Sequence, residues 1–406
     1  MTTDPVTDVL VIGGGPAGSA TALRLARLGH AVTLIDRAIF PREKPCSEYM
    51  SPETVRHLHG LGVLGTLDAA GGAALEGTQV FGPLGSRLVG RFAAAGGTPF
   101  RGTGLGLPRR VMDAVLLAAA RAAGTMVLEG IVAHQLVRDA DGAVAGVHAR
   151  DADGAPRTLR ARVVVGADGL GSIVARRAGL HAQGRVRRTA FVAHVAGVDG
   201  LSMTTELHVT RDGYVGINAL GGGIANVALV VPAAATTAAR GDPRRFFLER
   251  IAAVPGMRNR VSADRIVRDV LVTGPFDAMC RRSTTDGALL VGDAADFFDP
   301  FTGEGICTAL RGAELAAAAL DLALGRGGPV TDRQLRAYRV ARRRAFLGKW
   351  LVERLIGYGM LAPALFDRAI ARLERRGMAD TLIGVTGNFV SPWKMLNPGF
   401  LLRMVM

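Results

Sequence analysis

The sequence has few cysteines and no long apolar run. Its three cysteines, Cys46, Cys280 and Cys307, are odd in number and widely separated, which argues against a disulfide framework and for a reducing cytoplasm. No uncharged apolar run reaches the roughly 18 residues of a membrane-spanning helix, and the first apolar strand begins too early for a signal peptide to precede it. We therefore expect a cytoplasmic protein that is either soluble or peripheral at the inner face of the membrane.

The signatures of two further classes of protein are missing. The Cys and His spacings match no zinc site, so we expect no metal. The chain carries 49 Lys and Arg against 35 Asp and Glu, a formal net charge of +14, but aromatics make up only 5% of it, and no block of consecutive basic residues is interleaved with them. We expect no nucleic-acid partner. The positive charge leaves an anionic membrane surface or an acidic substrate open.

Small and apolar residues are what the sequence has in quantity. Hydrophobic residues account for 49% of the 406 positions, and 54 positions are glycine. This composition excludes a disordered chain and favours a tightly packed α/β protein. At this length two or three domains are expected.

One stretch near the start of the chain has the order strand, glycine turn, helix, strand and acid. The apolar run 9–12 is followed by Gly13, Gly15 and Gly18 and then by a helical pattern. Gly13 would permit the turn, Gly15 would let a pyrophosphate approach the backbone, and Gly18 would allow close helix–strand packing. The next apolar strand ends in Asp36, whose carboxylate can accept hydrogen bonds from a ribose. The alternative is a glycine turn in an ordinary βαβ unit.

The same arrangement recurs further along the chain. Apolar strands end near Asp168 and Asp293, and residues 300–306 form a glycine-rich start to a long helix. In open α/β sheets, ligands bind outside the carboxyl ends of such strands, so we expect these positions to belong to one site. For Asp168 the alternative is that its carboxylate caps the helix that follows it.

The remainder of the chain predicts a second sheet and a helical tail. Residues 189–231 alternate as strands, which favours an antiparallel sheet with one face available to cover a cavity. From residue 332 the pattern is helical and begins with a group of arginines, Arg336, Arg339, Arg342, Arg343 and Arg344. Such a helix either packs on its own domain with a solvated charged face or lies on an anionic membrane.

Together these motifs resemble the FAD-dependent superfamily that joins aromatic-ring hydroxylases, the group A flavoprotein monooxygenases, to geranylgeranyl reductases. The resemblance rests on residues 13–18 with Asp36, residues 44–48, Arg109 with Asp113, residues 166–169 and residues 292–306. It implies an α/β fold with a Rossmann-like FAD-binding domain, an interleaved antiparallel β-sheet substrate domain and a C-terminal helical tail. The implied FAD-binding segments are 1–70, 107–185 and 275–330, the substrate segments are 71–106 and 186–274, and the helical region is 331–406.

The resemblance also implies which residues hold FAD. The cofactor-binding residues would be Gly13, Gly15, Ala17, Gly18, Asp36, Arg37, Cys46, Ser47, Tyr49, Arg109, Val132, Asp168, Asp293, Gly303, Gly305 and Ile306. Among them, Ala17 and the glycines of its turn would bind the pyrophosphate, and Arg109 with Asp293 the central pyrophosphate and ribityl region. Val132 would lie on the adenine side. The start of the long helix would offer backbone N–H groups to the flavin pyrimidine, where its positive end stabilises a reduced flavin.

Departures from the family decide the predicted function. The turn reads Cys46-Ser47-Glu48 where prenyl reductases carry Cys-Gly-Glu, and neither their Trp-x-Phe-Pro stretch nor the Trp-x-Trp-x-Ile-Pro stretch of flavin halogenases is found. We therefore expect an NAD(P)H-dependent monooxygenase of secondary metabolism that hydroxylates an apolar phenolic or polyketide-like small molecule. The alternative is a geranylgeranyl-reductase-like flavoprotein that reduces C=C bonds of an isoprenoid or lipid-like substrate.

Two residues are candidates for catalysis, Cys46 in the turn beside the flavin and Tyr214 in the substrate sheet. A prenyl reductase could use Cys46 to orient its substrate or to relay a proton, whereas a monooxygenase needs only the backbone of this turn. The alternative for Cys46 is a buried structural thiol, because free cysteine packs as a small hydrophobe.

Overall fold

The computed structural model of the protein describes residues 7–184, 186–239, 241–276 and 278–405. Its strands are β1 (Thr7–Ile12), β2 (Val32–Asp36), β3 (Tyr49–Met50), β4 (Ala73–Leu75), β5 (Gly77–Phe81), β6 (Arg87–Arg91), β7 (Gly104–Gly106), β8 (Met126–Glu129), β9 (Val132–Arg138), β10 (Val144–Arg150), β11 (Pro156–Gly166), β12 (His181–Gln183), β13 (Arg188–Ala196), β14 (Thr204–Thr210), β15 (Gly213–Gly221), β16 (Ile224–Pro232), β17 (Ile266–Thr273), β18 (Ala278–Cys280), β19 (Thr284–Thr285), β20 (Ala288–Leu290) and β21 (Asp296–Phe297). Its helices are α1 (Pro16–Arg27), α2 (Pro52–Gly60), α3 (Leu64–Ala69), α4 (Arg109–Ala122), α5 (Ile173–Arg177), α6 (Pro243–Ala252), α7 (Gly305–Leu324), α8 (Arg336–Gly359), α9 (Pro363–Arg375), α10 (Ala379–Thr386), α11 (Pro392–Met395) and α12 (Pro398–Val405).

The first sheet carries the glycine turn. Its strand order is β19-β20-β11-β1-β2-β8, and every neighbouring pair on this path is parallel except β19 with β20. Residues 9–12 are apolar and buried because α1, α4 and α7 cover one face of the sheet and β9, β10 and α5 cover the other. The carboxyl ends of the parallel strands therefore bring Gly13, Asp36, Asp168 and Asp293 to one edge, as the sequence predicts.

The second sheet is mixed rather than purely antiparallel. Its order is β17-β13-β16-β15-β14-β5-β6, and all neighbours are antiparallel except β14 and β5. Between β5 and β14 the chain passes through the first sheet, and a parallel pair requires such a long crossover connection. Side-chain alternation predicts which residues share a face, but it carries no information about the direction of the neighbouring strand.

The two faces of the second sheet have different neighbours. The outer face packs through Val215 on Phe247 of α6. The inner face carries Val192 and Tyr214, and it is turned towards Phe301 and helices α8–α10. The predicted architecture of a parallel sheet, a second sheet and a C-terminal helical region is confirmed. The domain boundaries stay a prediction.

Candidate active site

The glycines of the N-terminal turn have different steric roles. Gly13 has φ +104°, and a Cβ there would lie 2.5 Å from the carbonyl oxygen of Ala167. A Cβ on Gly18 would lie 1.8 Å from the oxygen of Gly13, so the fold itself requires both glycines. At Gly15, the N-cap of α1, a Cβ would meet no atom nearer than Arg42 Nη2 at 3.7 Å. Gly15 thus leaves open space at a helix N-terminus, where an anion is favoured.

A group of cations borders this open space. Arg109 donates two hydrogen bonds of 2.7 Å to the fully buried carboxylate of Asp113, and Arg42 Nη1 lies 3.1 Å from the same carboxylate. Lys44 is close enough to both arginines that, together with burial as the larger cause, they lower its pKa. Asp113 is shared by the two arginines, and Asp293 is the carboxylate whose charge acts on Lys44. Three cations thus face two carboxylates, and the excess positive charge suits a diphosphate beside Gly15.

Sequence reasoning predicted Arg109 in this cradle but missed Arg42 and Lys44. Both stand in the loop that follows β2, and neither is fixed by a helical or strand period. The available signal was the presence of two basic residues, two positions apart, in the loop after the strand that ends in Asp36. A loop at the carboxyl edge of a parallel sheet is where ligand contacts are expected.

Asp36 lies against the glycine turn at the end of β2. Its Oδ2 accepts a hydrogen bond of 2.6 Å from Gly14 N, and its Oδ1 accepts one of 2.8 Å from Ala38 N. A carboxylate has about four acceptor positions, so Asp36 can also accept from a ribose. Arg37 and Val132 are exposed, and Val132 begins β9 next to this strand end. These positions fit the adenosine side of a dinucleotide.

Asp168 helps to cap a helix and keeps one oxygen free. Its Oδ2 accepts a hydrogen bond of 2.6 Å from Ile173 N, the first residue of α5. The N-cap residue is Ser172, whose hydroxyl accepts from Ala175 N, so Asp168 assists the cap that the alternative predicted without being the N-cap residue. Its Oδ1 is buried without a hydrogen-bond partner among the described residues, and burial raises the pKa of the carboxyl. Because Asp168 also lies against Gly13, a cofactor-binding role for the free oxygen stays a prediction.

The start of α7 faces the same site. Gly305 and Ile306 are its first two residues, and a Cβ on Gly305 would lie 4.0 Å from Asp293 Oδ1. Burial raises the pKa of Asp293 to about 6, although the positive charges of Lys44 and Arg109 oppose the shift. Asp293 therefore lies between the cationic cradle and a helix N-terminus, as expected for a ligand of the central part of FAD.

Two close contacts join the segments of the site. A Cβ on Gly292, after β20, would lie 2.9 Å from the Cβ of Ala17 in α1. A Cβ on Gly303, which has φ +70°, would lie 2.7 Å from Cδ1 of Tyr49. The glycines let the backbone before α7 approach both α1 and β3, which no side chain at these positions would permit.

The second sheet holds the turn at residues 46–48. Glu48 is fully buried with φ +55°, and its carboxylate accepts a hydrogen bond of 2.8 Å from Arg109 N and lies 2.5 Å from His194 Nε2. Asn226 Nδ2 donates a hydrogen bond of 3.0 Å to the carbonyl oxygen of Ser47. Sequence reasoning missed the role of Glu48 and His194, because their pairing spans 146 residues.

A family described as "FAD binding domain" matches residues 6–349 of the chain. The chain belongs to this family. The open space at Gly15, the cationic cradle and the helix N-terminus at Gly305 fit the cofactor, and the flavoprotein is an FAD-dependent oxidoreductase. The family resemblance inferred from the separated sequence motifs is confirmed.

The flavoprotein is similar to two proteins named as reductases. It is 32% identical over 380 residues to digeranylgeranylglycerophospholipid reductase 2 of Methanothermobacter thermautotrophicus, with 91% of each chain covered. It is 31% identical over 366 residues to menaquinone reductase of Mycobacterium tuberculosis, with 86% of this chain and 85% of the relative covered. Its fold is similar to that of a flavoprotein/dehydrogenase from Cytophaga hutchinsonii, with a TM-score of 0.85, 19% identity and coverage of 99% and 96%.

The two candidate catalytic residues of the flavoprotein lie in different surroundings. Cys46 is partly buried and lies beside Arg109. Tyr214 is buried and its hydroxyl donates a hydrogen bond of 2.8 Å to Asp299, which also accepts one of 2.9 Å from Phe301 N. Burial raises the pKa of Tyr214 well above its ordinary value. Tyr214 thus supports the segment before α7, and catalytic roles for both residues stay predictions.

An apolar floor lies on the inner face of the second sheet. Leu207, Gly216 and Ala228 lie side by side on β14, β15 and β16, and all three remain partly exposed although their strands are central. A Cβ on Gly216 would meet only Leu207 Cδ2, at 3.5 Å, within the described structure. Open space therefore lies in front of these three residues, which we call the cavity floor.

Proposed function

We propose that this flavoprotein is an NAD(P)H-dependent monooxygenase that hydroxylates an apolar phenolic or polyketide-like small molecule in secondary metabolism. The observation that carries the proposal is the cavity floor of Leu207, Gly216 and Ala228, which leaves space for an apolar molecule. The floor lies near the turn at residues 46–48, because Asn226, two residues before Ala228 on the same face of β16, bonds to Ser47 O. When bound, FAD would supply the redox chemistry between NAD(P)H and either O2, for hydroxylation, or a C=C bond.

The chain's own residues would bind the cofactor, orient the substrate and exclude water. Arg42, Lys44 and Arg109 would hold the diphosphate, and the N-terminus of α7 would stabilise negative charge on the reduced ring by up to about 2 kcal/mol. His194 and Asn226 anchor the turn on the inner face of the second sheet. Together with the cavity floor they would keep a substrate in one orientation.

The side chains that could donate a proton to a substrate already have hydrogen-bond partners, which favours hydroxylation. Reduction of a C=C bond requires a proton for the second carbon, yet Tyr214 is bonded to Asp299 and Glu48 to His194 and Arg109 N. Oxygen transfer from O2 requires no thiol or carboxylic acid at the substrate carbon.

Reduction of a C=C bond in an isoprenoid or lipid-like substrate is the second candidate function. Two relatives whose names include "reductase" are 31% and 32% identical to this chain. Cys46 and Glu48 occupy the matching positions of the prenyl-reductase turn, and the Cys46 side chain is partly accessible. Cys46 is therefore the residue on which the two candidates separate.

For a monooxygenase, Cys46→Ser keeps FAD and most of the activity. The substitution hardly changes the size of the side chain but replaces the thiol with a much less acidic hydroxyl. If Cys46 were the general acid of a C=C reduction, turnover would instead fall by about a hundredfold or more. The measurement is steady-state NADPH oxidation and product formation with and without O2, with stopped-flow flavin reduction recorded separately. Cys280→Ser is the matched control, because that thiol bonds to Ala294 O away from the flavin turn.

A large loss of turnover in Cys46→Ser with normal flavin reduction, or product formation that proceeds equally without O2, would move the assignment to C=C reduction. Normal turnover of the variant with an absolute requirement for O2 supports hydroxylation.

We further propose that this cytoplasmic enzyme contacts an anionic membrane surface through α8. Of the predicted basic group, Arg336, Arg343 and Arg344 are exposed. Arg342 is instead buried against Asp296, and Arg339 bonds to Asp332 and Thr284. The sequence pattern did not reveal this inward turn, because the partners lie in other elements.

Further along the same helix, Leu351, Leu355 and Tyr358 are exposed at 43%, 38% and 48%. Exposed apolar and basic residues on one helix are typical of a membrane-surface contact. Within the part of the chain that the structure describes, no helix is long and apolar enough to cross a bilayer.

Binding to anionic vesicles at low salt and its loss at high salt are the expected results, because attraction between exposed charges is screened. The measurement is cosedimentation with phosphatidylglycerol vesicles, with phosphatidylcholine vesicles as the control. Replacing Arg336, Arg343 and Arg344 together by Gln should weaken binding without changing flavin content. Equal binding of parent and variant, or none by either, would contradict the membrane contact.

A further inference from the structure

Arg268 is a nearly buried arginine that lacks hydrogen-bond partners among the described residues. It lies on β17, the edge strand of the second sheet, and its side chain is 11% exposed. Its Nε, Nη1 and Nη2 make no hydrogen bond within the described structure. Glu43 Oε2 forms an ion pair with it at 3.8 Å from Nε, beyond hydrogen-bonding distance. Burial lowers the pKa of Arg268, but an arginine stays charged in a protein.

The acidic residues nearby attract this guanidinium by charge but accept no hydrogen bond from it. Glu43 is shared, because its carboxylate also lies 3.8 Å from Arg110 Nε. Glu48 is bonded to His194 and to Arg109 N. A buried guanidinium without hydrogen-bond acceptors is destabilising, and the charges of Glu43 and Glu48 offset the cost of burying Arg268 only in part.

The neighbours of Arg268 on the inner face also present an unused polar atom. Arg268 pairs in register with His194 on β13, and His194 pairs with Asn226 on β16. Asn226 donates to Ser47 O, whereas its Oδ1 is buried without a partner among the described residues. The row formed by Arg268, His194 and Asn226 therefore lies over the turn at residues 46–48, and both of its ends hold unpaired polar atoms.

We propose that Arg268 binds an oxyanion group, a phosphate or a carboxylate, of a molecule that enters beside the turn at residues 46–48. A guanidinium offers only donors, arranged as a fork that matches the two oxygens of such a group. The edge position of β17 gives access from one side, and the excess positive charge around Glu43 favours an anion there. The oxyanion belongs either to the nicotinamide dinucleotide or to the substrate. The assignment of the oxyanion to one of these two molecules rests on the proposed function, but the anion site itself does not.

The first test is the thermal stability of the FAD-loaded protein, in which the diphosphate cradle is filled. In buffer without phosphate, Arg268→Met should melt about 2 °C higher than the parent, because it removes a buried charge that has no hydrogen-bond acceptor. Millimolar inorganic phosphate should raise the melting temperature of the parent but not of Arg268→Met. Arg265→Gln is the control, since this exposed arginine bonds to Gly197 O just before β17 and should behave as the parent.

The second test identifies the carrier by equilibrium binding of NADP+. An affinity about tenfold weaker in Arg268→Met than in the parent and in Arg265→Gln would assign the oxyanion to the dinucleotide. Unchanged NADP+ affinity with the phosphate response retained in the parent would assign it to the substrate. The proposal is overturned if Arg268→Met melts lower than the parent, or if phosphate shifts both proteins equally. Neither measurement requires turnover, so a failure of the anion-site proposal can be distinguished from a failure of the proposed function.

Discussion

Gly15→Val yields a folded protein that purifies without flavin. A Cβ at this position would meet no protein atom nearer than 3.7 Å, and the φ of −73° is ordinary for any residue. The side chain would instead occupy the space between the N-terminus of α1 and the guanidinium groups of Arg42 and Arg109, where the diphosphate must lie. The measurement is the flavin absorbance of the purified protein, together with its circular dichroism and its response to added FAD.

Two other substitutions control for this result. Gly18→Val places a Cβ 1.8 Å from Gly13 O, so it should fail to fold rather than fold without flavin. Arg326→Ala, on the exposed surface after α7, should purify yellow with noncovalently bound FAD. Stoichiometric FAD in Gly15→Val would show that the cradle is not the diphosphate site.

Gly216→Leu retains FAD but loses turnover by about a hundredfold, the scale of a misplaced substrate. Because the only described neighbour within 4 Å of a Cβ there is Leu207 Cδ2, the added side chain fits without displacing the sheet. It would fill the space in front of the cavity floor and exclude the substrate. The measurement is kcat/KM for product formation, with flavin content and substrate-free NADPH oxidation recorded as well.

Val267→Leu is the matched control for Gly216→Leu. It enlarges a side chain of the same sheet at a position that is 57% exposed, and it should leave kcat/KM unchanged. Parent-like turnover by Gly216→Leu would mean that the cavity floor does not hold the substrate, whereas loss of FAD would mean that the substitution disturbs the turn at residues 46–48.

Much of the first sheet could be predicted from the sequence because its determinants are local. An apolar run without charges must be buried, and a position with φ +104°, or one where a Cβ would lie 1.8 Å from a carbonyl oxygen, requires glycine. The strands that end at Asp36 and Asp293 were recognised by the same pattern. Parallel strands then place their carboxyl ends at one edge, so the site followed from the order of the elements.

The rest of the site depends on residues that are far apart in the chain. Glu48 and His194 are paired across 146 residues, and neither position has a local pattern that reveals the pairing. The parallel pairing of β5 and β14 and the inward turn of Arg342 are of the same kind. In each case the side chain or strand has several acceptable neighbours, and the choice is made by how the sheets and helices pack.

The sequence by itself determined the α/β class, the glycine turn, the strand-end acids and the FAD family, because each depends on backbone sterics or side-chain periodicity within a short segment. Only the tertiary structure decided that Arg42 and Lys44 join Arg109, that Tyr214 supports the segment before α7, and that Arg268 has no hydrogen-bond partner among the described residues. Hydrogen bonds and charges act over a few ångströms in space, whatever the separation along the chain, and packing alone sets which groups come within that distance.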